Sequence, residues 1–226
     1  MKKFELTAEF VTNVFGKKLF RIKALVAFGN VEKGELGGFI EKEDNLSHID
    51  NAWVYGNARV SGNAQVFGDA KVYGNAQVFG DAKAFGDAKV YGNARVSGNA
   101  WVYGNAQVFG DAKVYGNAQV YGNARVFGDA QVSGNARVSG NARVSGDADY
   151  AVVAGFGRYF RTTTFFRCKD KILRVQCGCF YGDLAQFREI VKKTHGDSKY
   201  AKEYLAIADL MELHFAEEEE KQEAAE

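Results

Sequence analysis

The chain has 226 residues, 46% of them hydrophobic, with 29 basic and 28 acidic side chains and a net charge of +1. That balance excludes a disordered chain and allows a substantial core. No apolar stretch approaches the roughly 20 residues that a membrane span needs, and Met1-Lys2-Lys3-Phe4-Glu5 turns charged too early for a secretory signal. A cytoplasmic protein is therefore expected.

Three cysteines, all between residues 168 and 179, make no disulfide framework and fit a reducing compartment. Proline is absent, as expected where nearly every backbone N–H serves a ladder. Charge is uneven along the chain. Residues 150–202 carry eleven basic and four acidic side chains, whereas 203–226 carry one basic and nine acidic.

Residues 1–43 read as a β-rich N-terminal cap. Residues 4–7, 11–15 and 19–25 alternate like strands, with Gly16-Lys17-Lys18 as a hairpin turn. Gly29-Asn30 and Gly37-Gly38 punctuate the approach to the next segment.

Residues 44–149 form one repeating object. Sixteen glycines fall on every sixth residue from Gly56 to Gly146, each followed by Asn or Asp and then Ala. Val stands two residues before each Gly except at Ala84, and Asp44-Asn45-Leu46 and Asp50-Asn51-Ala52 are degenerate units with Asp in place of Gly. A six-residue period is neither helical nor that of a hairpin. It marks a β-solenoid, in which one coil cannot bury its own apolar face and must stack on its neighbours.

Strand alternation sends Val and the Ala two positions earlier inward. The residues flanking Val point outward: Lys, Arg, Gln or Trp before it, including Trp53 and Trp101, and Tyr, Phe or Ser after it. Gly and Asn/Asp are expected at the corners, because these types tolerate the positive φ of a tight turn. The exposed first coil needs a cover, which residues 1–43 are placed to give.

Residues 150–215 read as a small α+β domain. Residues 165–168 and 172–177 alternate like a hairpin joined by Lys169-Asp170-Lys171. Asp183 with Gln186 fits a capping box for a helix to about Thr194. After a break at His195-Gly196-Asp197-Ser198, a second helix runs to about Phe215, with Tyr200, Tyr204, Ile207, Leu210, Met211 and His214 on one face. Residues 216–226 form an acidic tail, read as a solvated end or as a cover for a basic surface.

The repeat resembles the left-handed parallel β-helix of the hexapeptide-repeat superfamily, which implies a mainly β fold: a single-stranded parallel β-helix with three hexapeptides per coil. Residues eighteen apart would then stack at about 4.8 Å, and six coils would stand about 29 Å tall. Two aromatic ladders follow. One is Tyr55, Tyr73, Tyr91, Phe109 and Phe127, ending in Ser145; the other is Phe67, Phe85, Tyr103 and Tyr121, ending in Ser139. The third file, Ser61, Phe79, Ser97, Tyr115 and Ser133, is less aromatic. The ladders either stabilise the coils, at roughly 0.2–1 kcal/mol per pair, or with Trp53 and Trp101 mark a partner or self-association surface giving a dimer or trimer.

Many members of that superfamily are trimeric acyltransferases, which makes a divergent acyltransferase an alternative. Acyl transfer needs a general base, commonly His, yet no His lies between residues 49 and 194 and the unbroken register leaves no excursion to wall a substrate pocket. His48, His195 and His214 are too dispersed for a three-His metal site of the carbonic-anhydrase kind. Cys168, Cys177, Cys179 and His195 are candidates for a structural metal or a nucleophilic pair, although paired C-x2-C knuckles are missing; buried thiols are the plainer reading. No cofactor is expected.

Nucleic acid is a second alternative. Arg158, Arg161, Arg167, Lys169, Arg174, Lys192 and Lys193 interleave with Tyr159, Phe160, Phe165, Phe166 and Tyr181, the pattern of phosphate contact with base stacking.

Over its whole length the chain is also similar to hexapeptide-repeat proteins of bacteriophages and prophages. The residues that carry this are Leu19-Phe20-Arg21-Ile22-Lys23-Ala24-Leu25, Leu36-Gly37-Gly38-Phe39-Ile40-Glu41-Lys42-Glu43-Asp44-Asn45-Leu46-Ser47, Cys177-Gly178-Cys179-Phe180 and Thr194-His195-Gly196. It further resembles the YdcK-type β-solenoids, which have no assigned reaction. These resemblances imply an accessory protein acting inside a bacterium: a non-enzymatic scaffold that binds a protein, such as a host enzyme or defence protein, and modulates or inhibits it.

Overall fold

The computed structural model describes residues 2–216; of the expected acidic tail, only Ala216 falls within them. Strands β1 (Phe4–Thr12), β2 (Lys18–Ala24) and β3 (Leu36–Ile40) form the cap. The strands expected at 4–7 and 11–15 are continuous in β1, with a register shift between Leu6 and Phe10 where it pairs with β2. Val14 and Phe15 lie in the turn and are exposed. Asn13 decides this, because its Oδ1 accepts from the backbone N–H of Phe15 and Lys17 and closes the turn around Gly16.

Two-residue strands then recur at every sixth position, from Trp53–Val54 (β4) to Arg143–Val144 (β19), and sort into three parallel sheets around one core. Each residue pairs with the one eighteen further on, as Val54 with Val72, Val60 with Val78 and Val66 with Ala84. Every inward Ala and Val from Ala52 to Val144 is at most 1% exposed. A fully buried Val side chain contributes about 1.5–3 kcal/mol, so the stack as a whole makes the core that no single coil has.

The corners divide their work differently from the expectation. Glycines Gly56 through Gly140 lie at φ between +58° and +74°, while Asp50, Phe160 and Lys171 are the non-glycine residues with positive φ among those described. The corner Asn and Asp therefore do not carry the positive φ of the turn. They tie coils together: Asn63 Nδ2 donates to Asp81 Oδ1 (3.0 Å), Asn93 Nδ2 to Asp111 Oδ1 (3.0 Å) and Asn117 Nδ2 to Asn135 Oδ1 (3.0 Å).

Parallel stacking begins earlier than residue 44. Phe39 pairs with Arg59 and Ile40 with Val60, and Leu46 bridges to Val66. Both spacings are twenty, so two extra residues are absorbed between Leu46 and Trp53, where Asp50 takes φ 60° in place of the usual Gly. One solenoid sheet thus continues through β3 into β2 and β1. Phe4, Phe28 and Trp53 plug this end, and the buried Lys3 ammonium donates to the carbonyls of Ala52 (2.9 Å) and Asp50 (3.3 Å). Burial lowers the Lys3 pKa to about 8.

At the other end, β20 (Tyr150–Val153), β21 (Thr163–Arg167), β22 (Leu173–Cys177) and β23 (Phe180–Asp183) form an antiparallel sheet in that order. Alternation along β21 serves two cores. Phe166 and then Cys168 join the solenoid core, while Phe165 faces the helices with Val175 and Phe187. Arg137 N donates to Thr164 Oγ1, and Ser139 Oγ to Gln176 Oε1, across the junction. The sheet is therefore both the lid of the last coil and the floor of the helical layer.

Helix α1 (Leu184–His195) starts with the expected box: Gln186 N donates to Asp183 Oδ1 (2.8 Å) and Asp183 N to Gln186 Oε1 (3.0 Å). Helix α2 (Lys199–His214) buries Ala201, Tyr204, Ile207, Ala208 and Met211. Tyr200, Leu210 and His214 are exposed, which corrects three of the six face positions. The small Ala201 and Ala208 set the contact line, since they let the helix lie close to its neighbours.

Candidate partner-binding surface

The eighteen-residue spacing brings both aromatic ladders together. Tyr73, Tyr91, Phe109 and Phe127 stack with centroids 4.7–5.1 Å apart and planes within 7°. Phe67, Phe85, Tyr103 and Tyr121 stack equally, at 4.8–4.9 Å. Each ring covers its neighbour, so the ladder rings are half-buried; burial raises the pKa of Tyr73 and Tyr103. Tyr55 packs against the core.

Trp101 is 38% exposed, with Lys83 Nζ 5.5 Å from its ring centroid. Trp53 is fully buried beneath Phe4 and Phe28 and presents nothing to a partner. Alternation alone would have turned it outward; the cap folds over it.

A cluster of more fully exposed aromatic side chains lies in the end domain, in the loop joining β20 to β21. Phe156, Tyr159 and Phe160 are 44%, 62% and 72% exposed, and Arg158 and Arg161 flank them. The base of the loop is fixed on α2. Gly157 N donates to Glu203 Oε2 (2.9 Å), and a side chain at Gly157 would collide with the Tyr204 ring. Phe160 stands at φ 51°, a conformation that costs a bulky residue of order 1–3 kcal/mol and gathers at functional sites.

Beside the loop, between β22, β23 and the helices, is a cleft of about 300 Å3. Phe180, Phe187, Ile190 and Val191 line its apolar part, with Cys177, Cys179, Thr194 and His195. Arg161 lies over Gly178, where a Cβ would stand 2.6 Å from its Nη1. Arg158 and Arg161 both lie over the Tyr159 ring, at 5.5 and 5.1 Å. The Tyr204 hydroxyl is pushed up to about 12, first by burial and then by the neighbouring Cys177. It stays protonated over the physiological range.

The cysteines divide between two sites. Cys168 is buried against the last coil, where burial raises its pKa, whereas Cys177, Cys179 and His195 line the cleft. Among the described residues no group of three or more His, Cys, Asp or Glu side chains is placed to hold a metal ion. The four candidates therefore do not converge.

The basic set also separates. Arg174 pairs with Asp170 (2.8 Å), and Arg167 donates to the Phe215 carbonyl and lies over its ring. Phe165 and Phe166 are fully buried. Arg158, Arg161, Lys169, Lys192 and Lys193 remain exposed.

The sequence pattern does not mark Phe156, Phe187, Ile190 or Val191 as site residues, and it names Thr194 only as a helix end and in the Thr194-His195-Gly196 module. Gly155 and Gly157 on either side of Phe156, both at positive φ, carry the signal that could have marked the loop.

A family model described as the YdcK beta solenoid repeat matches residues 52–68, 88–104, 118–134 and 130–146. All four matches lie within the stacked coils, and with the six-turn architecture they make this a β-solenoid repeat protein. No curated protein matches the chain. No helix of the described residues is long and apolar enough to cross a membrane.

Proposed function

We propose that the protein is a non-enzymatic binding scaffold: the solenoid is a rigid stem, and the end domain carries the main partner-contacting surface. The observation that carries this is the loop at 156–161. Three large aromatic side chains stand in water there, on a backbone held in a costly conformation and anchored at its base. Clustered exposed apolar surface of this kind marks interaction sites. The ladders, half-covered by their own stacking, supply a second surface of ring edges with Trp101, suited to a second copy or to the flank of the same partner. The resemblance to phage and prophage proteins supports a bacterial cytoplasmic partner, such as a host enzyme or defence protein that is modulated or inhibited.

One observation favours a nucleic-acid reading: two arginines and two exposed rings occupy four consecutive positions, 158–161. Capture from nuclease-treated bacterial lysate on the tagged full chain separates the two. The scaffold reading expects a stoichiometric protein that is lost with Tyr159→Ala/Phe160→Gly. Loss with Tyr73→Ser/Tyr91→Ser alone would move the site to the ladder. Recovery of nucleic acid alone, before nuclease and not after, would overturn the scaffold reading.

A further inference from the structure

We infer that the cleft beside the 156–161 loop receives an acidic peptide segment carrying one bulky apolar side chain; this rests on the scaffold reading and names the chemistry of the partner. Size comes first. At about 300 Å3 the cleft sits at the bottom of the range for ligand pockets, which suits one large side chain and is small for a cofactor. Its floor of Phe180, Phe187 and Val191 offers such a side chain an apolar seat, with ring centroids of Phe180 and Phe187 5.6 Å apart.

Charge selects the flanks of that side chain. Arg158 and Arg161 stand on the rim, and among the described residues neither is paired with a carboxylate. Lys193 follows lining residue Ile190 by three positions on α1, on the same side of the helix. Glu203, at the base of the loop, is already engaged by Gly157 N (2.9 Å) and Lys199 Nζ (3.5 Å). Among the described residues the rim therefore presents positive charge with no carboxylate partner over an apolar seat, which complements carboxylates on both sides of an apolar anchor.

Nucleic acid fits this less well. Two guanidinium groups lie 5.1 and 5.5 Å from the Tyr159 ring centroid and would compete with a base for its face, and Arg167 and Arg174 are held by contacts within the domain.

The test uses the full chain and a short fluorescein-labelled peptide of alternating Asp and Glu with one central Trp, read by anisotropy. Saturable binding is expected. Replacing the central Trp by Ala weakens it about tenfold or more, as for a buried anchor, and Arg158→Glu/Arg161→Glu does the same. Thr194→Trp, which fills the cleft and leaves the rim charge intact, also abolishes binding, with melting of each variant checked against the parent. Bound peptide protects the exposed Cys179 from iodoacetamide. Equal binding of the Ala peptide, unprotected Cys179, or binding of oligothymidylate in place of the peptide would each overturn the inference. If a lysate partner is captured through the loop but the Trp peptide does not displace it, the acidic-anchor inference falls and the scaffold reading stands. If no partner is captured, both fall.

Discussion

The stem and the end domain solve the same problem, burial of apolar surface, by opposite means. In the stem each contact is made many times over: Val on Val, Gly on Gly and Asn on Asn or Asp, all at a spacing of eighteen. In the end domain each contact is made once, and β21 changes partner from one residue to the next, Phe165 to the helices and Phe166 to the coils. Repetition satisfies the inward side chains, the ladder rings and many of the corner amides of the stem with copies of themselves. The end domain, built from unlike parts, leaves aromatic rings, two arginines and a cleft uncommitted, which is why the proposed site lies there.

Single substitutions separate the two regions. The largest effect is expected for Val102→Asp, which puts a carboxylate into a fully buried file. The loss should exceed about 4 kcal/mol, and melting followed by circular dichroism should show the stem signal lost or moved down by about 10 °C or more. An unchanged melt would mean that coils unfold independently.

Gly98→Ala comes next. Its φ is +65° and a Cβ would stand 3.0 Å from Gly116 N, so a loss of about 1–3 kcal/mol is expected. Denaturant midpoints would measure it.

The Lys3 plug gives a smaller, pH-dependent effect. Its folded pKa is lowered to about 8 from an ordinary 10.5, so the unfolded chain holds more protons between those values and stability from this group rises with pH across that window. The wild type should gain on Lys3→Met from pH 8 to pH 10; a constant difference in melting temperature would show that Lys3 does not titrate there.

The smallest effect belongs to Phe160→Gly, which removes an exposed ring and relieves a positive φ. Stability should stay within about 1 kcal/mol of the parent while partner capture falls. A large drop in melting temperature would make Phe160 part of the core.

The stem was legible in the sequence because its rule is local and repeated: the six-residue register places each Val, Ala and Gly, and the eighteen-residue stack follows from the family resemblance. The boundaries were not. Phe39 and Ile40 form the first rung without a following Gly-Asn-Ala, because pairing to Arg59 and Val60 substitutes for the signature. Trp53 obeys the outward pattern and is buried by a cap that the pattern does not contain. In the end domain Phe160 and Phe165 look alike in sequence, yet one is 72% exposed and the other fully buried. Only the packing of β21 between two cores separates them. The cleft joins residues from a loop, two strands and two helices, so no spacing announces it.

The unbroken register also gives the stem the properties of a ruler and a dial. One full circuit takes eighteen residues and advances about 4.8 Å. Adding or removing one circuit would move the end domain along the axis by that step without turning it. A change of six residues would turn it by about a third of a revolution, presenting the loop at 156–161 to a different side of the ladders. Length and bearing between the two ends are thus set independently by whole and partial circuits, and no contact at either end has to change for the spacing between two bound surfaces to be reset.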